Sequence, residues 1–395
     1  MSTETESKTF QIEFSERLKS LPPYLFVEID KAKREAMAQG RDIINLGVGD
    51  PDLPTYPHIV EAMKKAVDDG NNHHYAFDNG LPELRQDIGQ WIKNRFGVEL
   101  NPDTEIYPLI GSKEGIAHLP LGVLNPKEKV LLTEPFYPAY RPFIEFAGGK
   151  IVYTPLKASN DFLPDLKKVA ALNNIKMMIV NYPNNPTAAV ATKEFYAELV
   201  RIAREKGIIL VSDLAYSEVY FDGEKPPSIL EIEGAKDVAI EFHSFSKTYN
   251  MTGWRIGWAC GNPTLIAALA KVKSNCDSGI FQAIQVAALA ALKTPQESLD
   301  EMRALYQDRR DYLVNGLRSL GWKATPPKAS FYVWTKLPKQ FASSMEAAKF
   351  LLDKADIVAT PGVGFGESGE GYIRMTITVP KERINEAVER LRKIL

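Results

Sequence analysis

EFHSFSKTYNMTGWRIG (241–257) begins as a β-strand and turns into a short polar loop that sets Ser244, Ser246, Lys247 and Arg255 close together. Hydroxyls and a guanidinium are what a phosphate dianion needs, because arginine binds it through paired N–H groups and serine donates from close range. An amine beside such cations gives up its proton more readily, and the neutral amine is the form that condenses with an aldehyde. The plainer account, an ordinary surface lysine, leaves these neighbours unexplained.

The strand that opens this stretch is one of a series. IYPLI (106–110), KVLLT (129–133), KIVY (150–153), KMMIV (176–180), IILVS (208–212), VAIEF (238–242) and IGWAC (256–260) are all strand-length and rich in branched side chains. Helical patterns lie between many of them, as where Leu81, Leu84, Ile88, Trp91, Ile92 and Phe96 recur at helical spacing. Strand and helix in alternation predict an α/β fold whose sheet is covered on both faces. After about residue 290 the character changes: amphipathic helices (297–320 and 382–395) flank the strand-like FYVWTKL (331–337) and YIRMTITV (372–379), which predicts a second, α+β unit. No internal repeat or Gly/Ser linker separates the two.

Ligands of open α/β sheets bind at the carboxyl ends of the strands, so the residues after each run are the candidates. In IILVSDLAYSEVYFDG (208–223), Asp213 follows a buried strand and Tyr216 lies three residues on. A helix N-cap would account for a lone Asp there. Beside Lys247 its better role is to keep a pyridine nitrogen protonated, with Tyr216 donating to the ring's phenolic oxygen. VNYPNNPTAA (180–189) offers Asn185 to the same oxygen, although turn chemistry alone also explains Asn-Pro. LIGSKEGIAHL (109–119) places Ser112 and Lys113 where a helix begins and its free N–H groups meet a phosphate. In TEPFYPAY (133–140), Tyr137 can stack on an aromatic ring or simply pack.

These residues, in this order, closely resemble the class I/II aminotransferases of the fold type I pyridoxal-phosphate enzymes, from about residue 24 to the C-terminus. The S-x-S-K-x(7)-R and Y-P-N-N-P-T patterns carry the resemblance. It implies a large domain with a mostly parallel seven-stranded sheet (46–288), a small C-terminal domain (289–395), and an N-terminal arm that joins the small domain (1–45). It implies pyridoxal 5′-phosphate held by Lys247 as a Schiff base, and a homodimer with shared active sites in which Tyr75 of HHYAFDNG (73–80) crosses to the partner's phosphate. It also implies that Arg374 clamps the substrate α-carboxylate, a role suited to a planar two-donor fork, with a backbone group of Gly47 beside it. An exposed strand arginine is the plainer account of Arg374. The implied reaction is a ping-pong transfer of an amino group between an amino acid and 2-oxoglutarate, with Lys247 as base and then acid at Cα.

Within the family, PPYLFVEI (22–29), GVGDPDLPT (47–55) and the lysine loop look most like the LL-diaminopimelate aminotransferases of lysine biosynthesis, which makes Tyr24 and Asp78 candidates for the distal end of the substrate. Gln282 stands near where many of them place Asn. Ala188 and Ala76 replace glycines usual in the family, which predicts altered backbone geometry in the first loop. The rival enzyme readings are an alanine, aspartate or aromatic aminotransferase and a carbon–sulfur β-lyase. A DNA-reading regulator that has lost catalysis would need a basic module ahead of NLGVGDP (45–51), and the preceding residues are expected to be too few.

Composition narrows the partners. The 48 basic and 50 acidic residues nearly cancel without long blocks, which argues against nucleic acid and anionic membrane. No apolar run approaches the ~20 residues that cross a bilayer, and MSTETESKTF (1–10) has no secretory character, so the protein is expected in the cytoplasm with Cys260 and Cys276 as free thiols. No metal site is expected: His73 and His74 would point apart on a strand, and PGVGFGESG (361–369) is read as a turn-rich loop rather than a dinucleotide loop.

Overall fold

The computed structural model describes residues 12–21, 25–76 and 79–394. Its strands are β1 (Ile44–Asn45), β2 (Ile106–Leu109), β3 (Lys129–Glu134), β4 (Lys150–Pro155), β5 (Ile175–Asn181), β6 (Ile209–Asp213), β7 (Ala239–Ser244), β8 (Gly257–Gly261), β9 (Tyr332–Lys336), β10 (Ile357–Val358), β11 (Thr360–Pro361) and β12 (Tyr372–Thr376). Seven of them form one sheet in the order β2-β8-β7-β6-β5-β3-β4. Only β8 runs against the rest, antiparallel to both β2 and β7.

Nearly every residue of the central strands is buried, because helices cover both faces and alternate side chains enter opposite cores. Val130, Leu132, Met177 and Ile179 point into a core shared with Ile116 and Leu119 of the helix Ser112–Val123 and Leu269 of the helix Pro263–Cys276. Leu131, Met178 and Val180 point the other way, toward Tyr196 and Leu199 of the helix Lys193–Lys206 and Ile88 and Ile92 of the helix Pro82–Phe96. Local chemistry sets the helix ends. Thr192 accepts from the Phe195 amide, and Gly207, at φ 67°, closes the C-terminus where a Cβ would be strained.

The C-terminal part has its own core. The sheet β11-β12-β9 packs with the helices Gln296–Ser319, Ser344–Ala355 and Lys381–Arg392 around Leu313, Phe331, Leu351, Ile373 and Ile384. Ile44 and Leu46 enter this core, because β1 pairs in parallel with β10. Asp52 is gripped by Arg309 through two bonds of 2.7 and 3.0 Å. The α/β class, the seven strands and the smaller α+β unit are as the sequence predicts. His73 and His74 differ: they end a 3₁₀ turn (Gly70–His73) rather than lie on a strand. The loop 361–369 is indeed turn-rich, and Cys260 and Cys276 are free. No helix among the described residues is long and apolar enough to cross a membrane.

Candidate active site

At the carboxyl ends of β5, β6 and β7 the chain encloses a cavity of about 360 Å³, within the ~300–1,000 Å³ typical of small-molecule sites. Its lining brings together Ser112, Lys113, Tyr137, Asn185, Asp213, Tyr216, Ser244, Ser246, Lys247, Arg255 and Arg374. The sequence placed these residues in stretches far apart in the chain.

Lys247 sits in the single helical turn Phe245–Thr248 that follows β7, and its Nζ donates to the Gly49 carbonyl at 3.0 Å. Burial pulls its pKa down to about 8, helped by Arg255 and Arg374 and opposed by Asp50. Half or more of such amines are neutral once the pH exceeds 8.

Beside it lies a cup of hydroxyl and cationic groups. Ser244 ends β7 and accepts from the Ser246 amide at 3.1 Å. Gly111 caps the helix Ser112–Val123 at φ 76°, where a Cβ would fall 2.4 Å from Arg255 Nη2. A Cβ on Gly257 would fall 2.8 Å from the Ser112 amide nitrogen. Glycine at both places lets the backbone and Arg255 close on the same space. Arg255 itself is held at φ 56°, a conformation that costs a side-chain-bearing residue of order 1–2 kcal/mol. Burial, and then Arg255, lower the pKa of Lys113.

At the cavity's far wall, Tyr140 donates to Asp213 Oδ2 at 2.6 Å. Asp213 Oδ1 is buried with no hydrogen-bond partner among the described residues. Burial raises this carboxyl to about 6, against the lowering effect of the Tyr140 hydroxyl. Asn181 Nδ2 holds the Asp213 carbonyl at 2.8 Å while its Oδ1 accepts from the Asn185 amide at 2.8 Å, so the ends of β5 and β6 are locked together.

Arg374 of β12 reaches in from the C-terminal unit. It donates to Asn185 Oδ1 at 2.7 Å and to the Gly47 carbonyl at 2.6 Å. Its guanidinium lies 4.2 Å from the centre of the Tyr332 ring and 4.7 Å from that of Phe365. It is buried, not an exposed strand residue. The Gly47 amide donates to Asn45 Oδ1, so the backbone group it turns toward Arg374 is its carbonyl.

Tyr75 is not brought to this cavity: it is 89% exposed and lines a separate surface hollow with His73, His74 and the loop Ser278–Phe281. Tyr24 and Asp78 lie outside the described residues. Ala188 sits at φ 60°, the left-handed conformation natural to glycine. Tyr140, Asn181, Tyr332 and Gly49 were missed in the sequence. Tyr140 lies in TEPFYPAY (133–140), three residues beyond Tyr137, and that spacing was the available signal.

An unpartnered buried carboxylate oxygen, a buried amine of lowered pKa and a glycine-lined cup with Arg255 fit, respectively, a pyridinium N–H, an aldehyde and a phosphate. The site therefore fits pyridoxal phosphate. The family model for aminotransferase class I and II matches residues 41–391. An LL-diaminopimelate aminotransferase from Nitratidesulfovibrio vulgaris is 52% identical over 380 residues, covering 95% of this chain and 98% of that one. Another from Aquifex aeolicus is 52% identical over 384 residues, covering 97% and 99%. Among solved structures, substrate-bound BacF from Bacillus subtilis superposes with a TM-score of 0.93 at 39% identity, covering 98% of both chains. A Thermus thermophilus aspartate aminotransferase variant gives 0.91 at 31% identity, covering 98% of this chain and all of that one. The chain belongs to the class I and II aminotransferases, transferases of fold type I that work with pyridoxal 5′-phosphate.

Proposed function

We infer that this aminotransferase acts on LL-diaminopimelate, passing its amino group to 2-oxoglutarate by a ping-pong mechanism, in lysine biosynthesis, as a cytoplasmic homodimer. The observation that carries the substrate assignment is the 52% identity to relatives of that name over almost the whole chain.

The cavity lining supports a part for each residue. Lys247 would hold the cofactor through Nζ; Ser112, Lys113, Ser244, Ser246 and Arg255 would hold its phosphate; Asp213 Oδ1 would accept from its pyridine nitrogen. Tyr137 would stack on the ring, and Asn185 and Tyr216 would donate to its phenolic oxygen. Asn185 Oδ1 is occupied by Arg374, so its Nδ2 is the group left to donate. Pyridoxal phosphate supplies the aldehyde and a ring that takes up the electron pair released at the substrate Cα. Arg374 grips the α-carboxylate, its orientation fixed by Gly47 and Asn185. Once released from the cofactor, Lys247 would offer a buried amine whose pKa of about 8 suits a base. It takes the Cα proton and returns it one position along, acting as base and then acid. The partner's Tyr75 completes the phosphate cup.

An amino-donor panel with 2-oxoglutarate tests the substrate: LL-diaminopimelate, glutamate, aspartate, alanine, tyrosine and methionine. LL-diaminopimelate is expected to give the highest kcat/KM, with parallel double-reciprocal lines. A negligible rate with it beside another donor overturns the assignment, and pyruvate and ammonia formed without glutamate would reveal a lyase.

A further inference from the structure

Tyr332 has no part in the mechanism above, yet it touches two of the groups that do and the glycine whose carbonyl holds Lys247. Its hydroxyl lies 2.9 Å from that of Tyr216. Its ring lies under the Arg374 guanidinium at 4.2 Å. It also packs so closely on Gly49 that a Cβ there would fall 2.3 Å from Tyr332 Oη, and the Gly49 carbonyl is the acceptor of Lys247. Both tyrosines are buried, and both line the cavity.

A phenol has one proton to donate. Burial pushes the Tyr216 phenol well above its ordinary pKa, so Tyr216 keeps that proton. If Tyr216 gives it to Tyr332, none remains for an oxygen in the cavity. If Tyr332 gives its proton to Tyr216, the Tyr216 proton is free to point inward. The rings cross at 74° with centroids 5.7 Å apart, an edge-on packing that holds the two oxygens in register.

We propose that Tyr332 is a positioning residue: its hydroxyl donates to Tyr216 Oη and thereby directs the Tyr216 proton toward the phenolic oxygen of bound pyridoxal phosphate. The proposal rests on Tyr216 facing that oxygen. A donor there stabilises the negative charge left on the oxygen when the lysine–cofactor linkage loses its proton, so it lowers the pH at which the bound cofactor's absorption changes. Weakening the donor raises that pH.

The test is a spectroscopic pH titration of the cofactor-loaded enzyme in wild type, Y216F, Y332F and Y216F/Y332F. Phenylalanine keeps both rings in place, and circular dichroism with thermal melting of each variant checks the fold. Y216F is expected to move the midpoint up by about one pH unit and Y332F by roughly half of that. The double variant is expected to match Y216F, because Tyr332 acts only through Tyr216. A midpoint unchanged in Y332F while Y216F shifts overturns the role of Tyr332. So does a Y332F shift that persists undiminished in the Y216F background. No shift in Y216F itself removes the underlying assignment of Tyr216, a failure distinct from the other two.

Discussion

Lys247 carries the most exposed chemical claim at the scale of single residues, since its amine must be neutral to react. Its folded pKa, about 8, lies below its ordinary value of 10.5. The folded chain therefore binds fewer protons at this site than the unfolded chain between those values, and its stability contribution rises with pH across that window. The same shift sets the rate of cofactor loading. Apoenzyme mixed with pyridoxal phosphate is expected to load about ten times faster at pH 9 than at pH 7, levelling off above the pKa of about 8. Stopped-flow absorbance measures this; a rate that keeps climbing tenfold per unit past pH 9 would show that burial has not depressed the amine. The motif around Lys247 was legible because serine, lysine and arginine lie within one local stretch. Tyr332 and Tyr140 were not, because their importance comes from contacts with Tyr216 and Asp213, distant in sequence. Ala188 is instructive in another way. The left-handed backbone costs an alanine ~1–2 kcal/mol, but a glycine there would lose a buried methyl worth ~0.8 kcal/mol and bring a more flexible unfolded chain. These terms nearly balance, so alanine can stand at φ 60° without deforming the turn.

At the scale of elements, runs such as KVLLT and KMMIV read cleanly as strands because both faces of a covered sheet demand apolar side chains. Direction did not read. Nothing in IGWAC distinguishes β8 from its neighbours, and its reversal depends on pairing with β2 and β7. The pairing of β1 with β10 was equally silent, since two short segments separated by most of the chain leave no periodic signal. What fastens this N-terminal segment to the C-terminal core is partly electrostatic: Arg309, 8% exposed at its side chain, makes a two-point bond to Asp52. Asp52 is 22% exposed, so water already offsets some of the attraction. Asp52→Ala leaves a largely buried guanidinium with the weaker Ile377 carbonyl contact at 3.4 Å. The expected loss is about 2 kcal/mol, toward the low end of the cost of breaking a buried pair. Urea unfolding of apoenzyme measures it, and an unmoved midpoint would mean that the apolar contacts of Ile44 and Leu46 alone hold the segment.

At the scale of the whole molecule, the cavity of one chain gathers the phosphate-site candidates among the described residues except Tyr75, which the family pattern assigns to a second copy. Tyr75 and Phe281, 89% and 41% exposed, stand on two loops that border one hollow, and Gln285 ties these loops together by accepting from the Leu81 amide and donating to the Ile280 carbonyl. Large aromatics left in water on a braced platform suit a face that meets another protein. In a two-fold dimer each subunit would give its Tyr75 to the other's site. That arrangement has a signature no monomer can imitate. Lys247→Ala has no reactive amine in its own cavity but offers an intact Tyr75; Tyr75→Ala keeps the amine but offers no tyrosine. Each homodimer then has two damaged sites, whereas a mixed dimer has one site damaged twice and one fully intact. Refolding the two variants together at equal concentration makes about half the dimers mixed, so activity is expected to recover to about a quarter of wild type. Either variant refolded alone should stay near zero for Lys247→Ala and reduced, with weakened cofactor retention, for Tyr75→Ala. Recovery absent from co-refolded protein that elutes as a dimer would mean that Tyr75 serves its own chain or none.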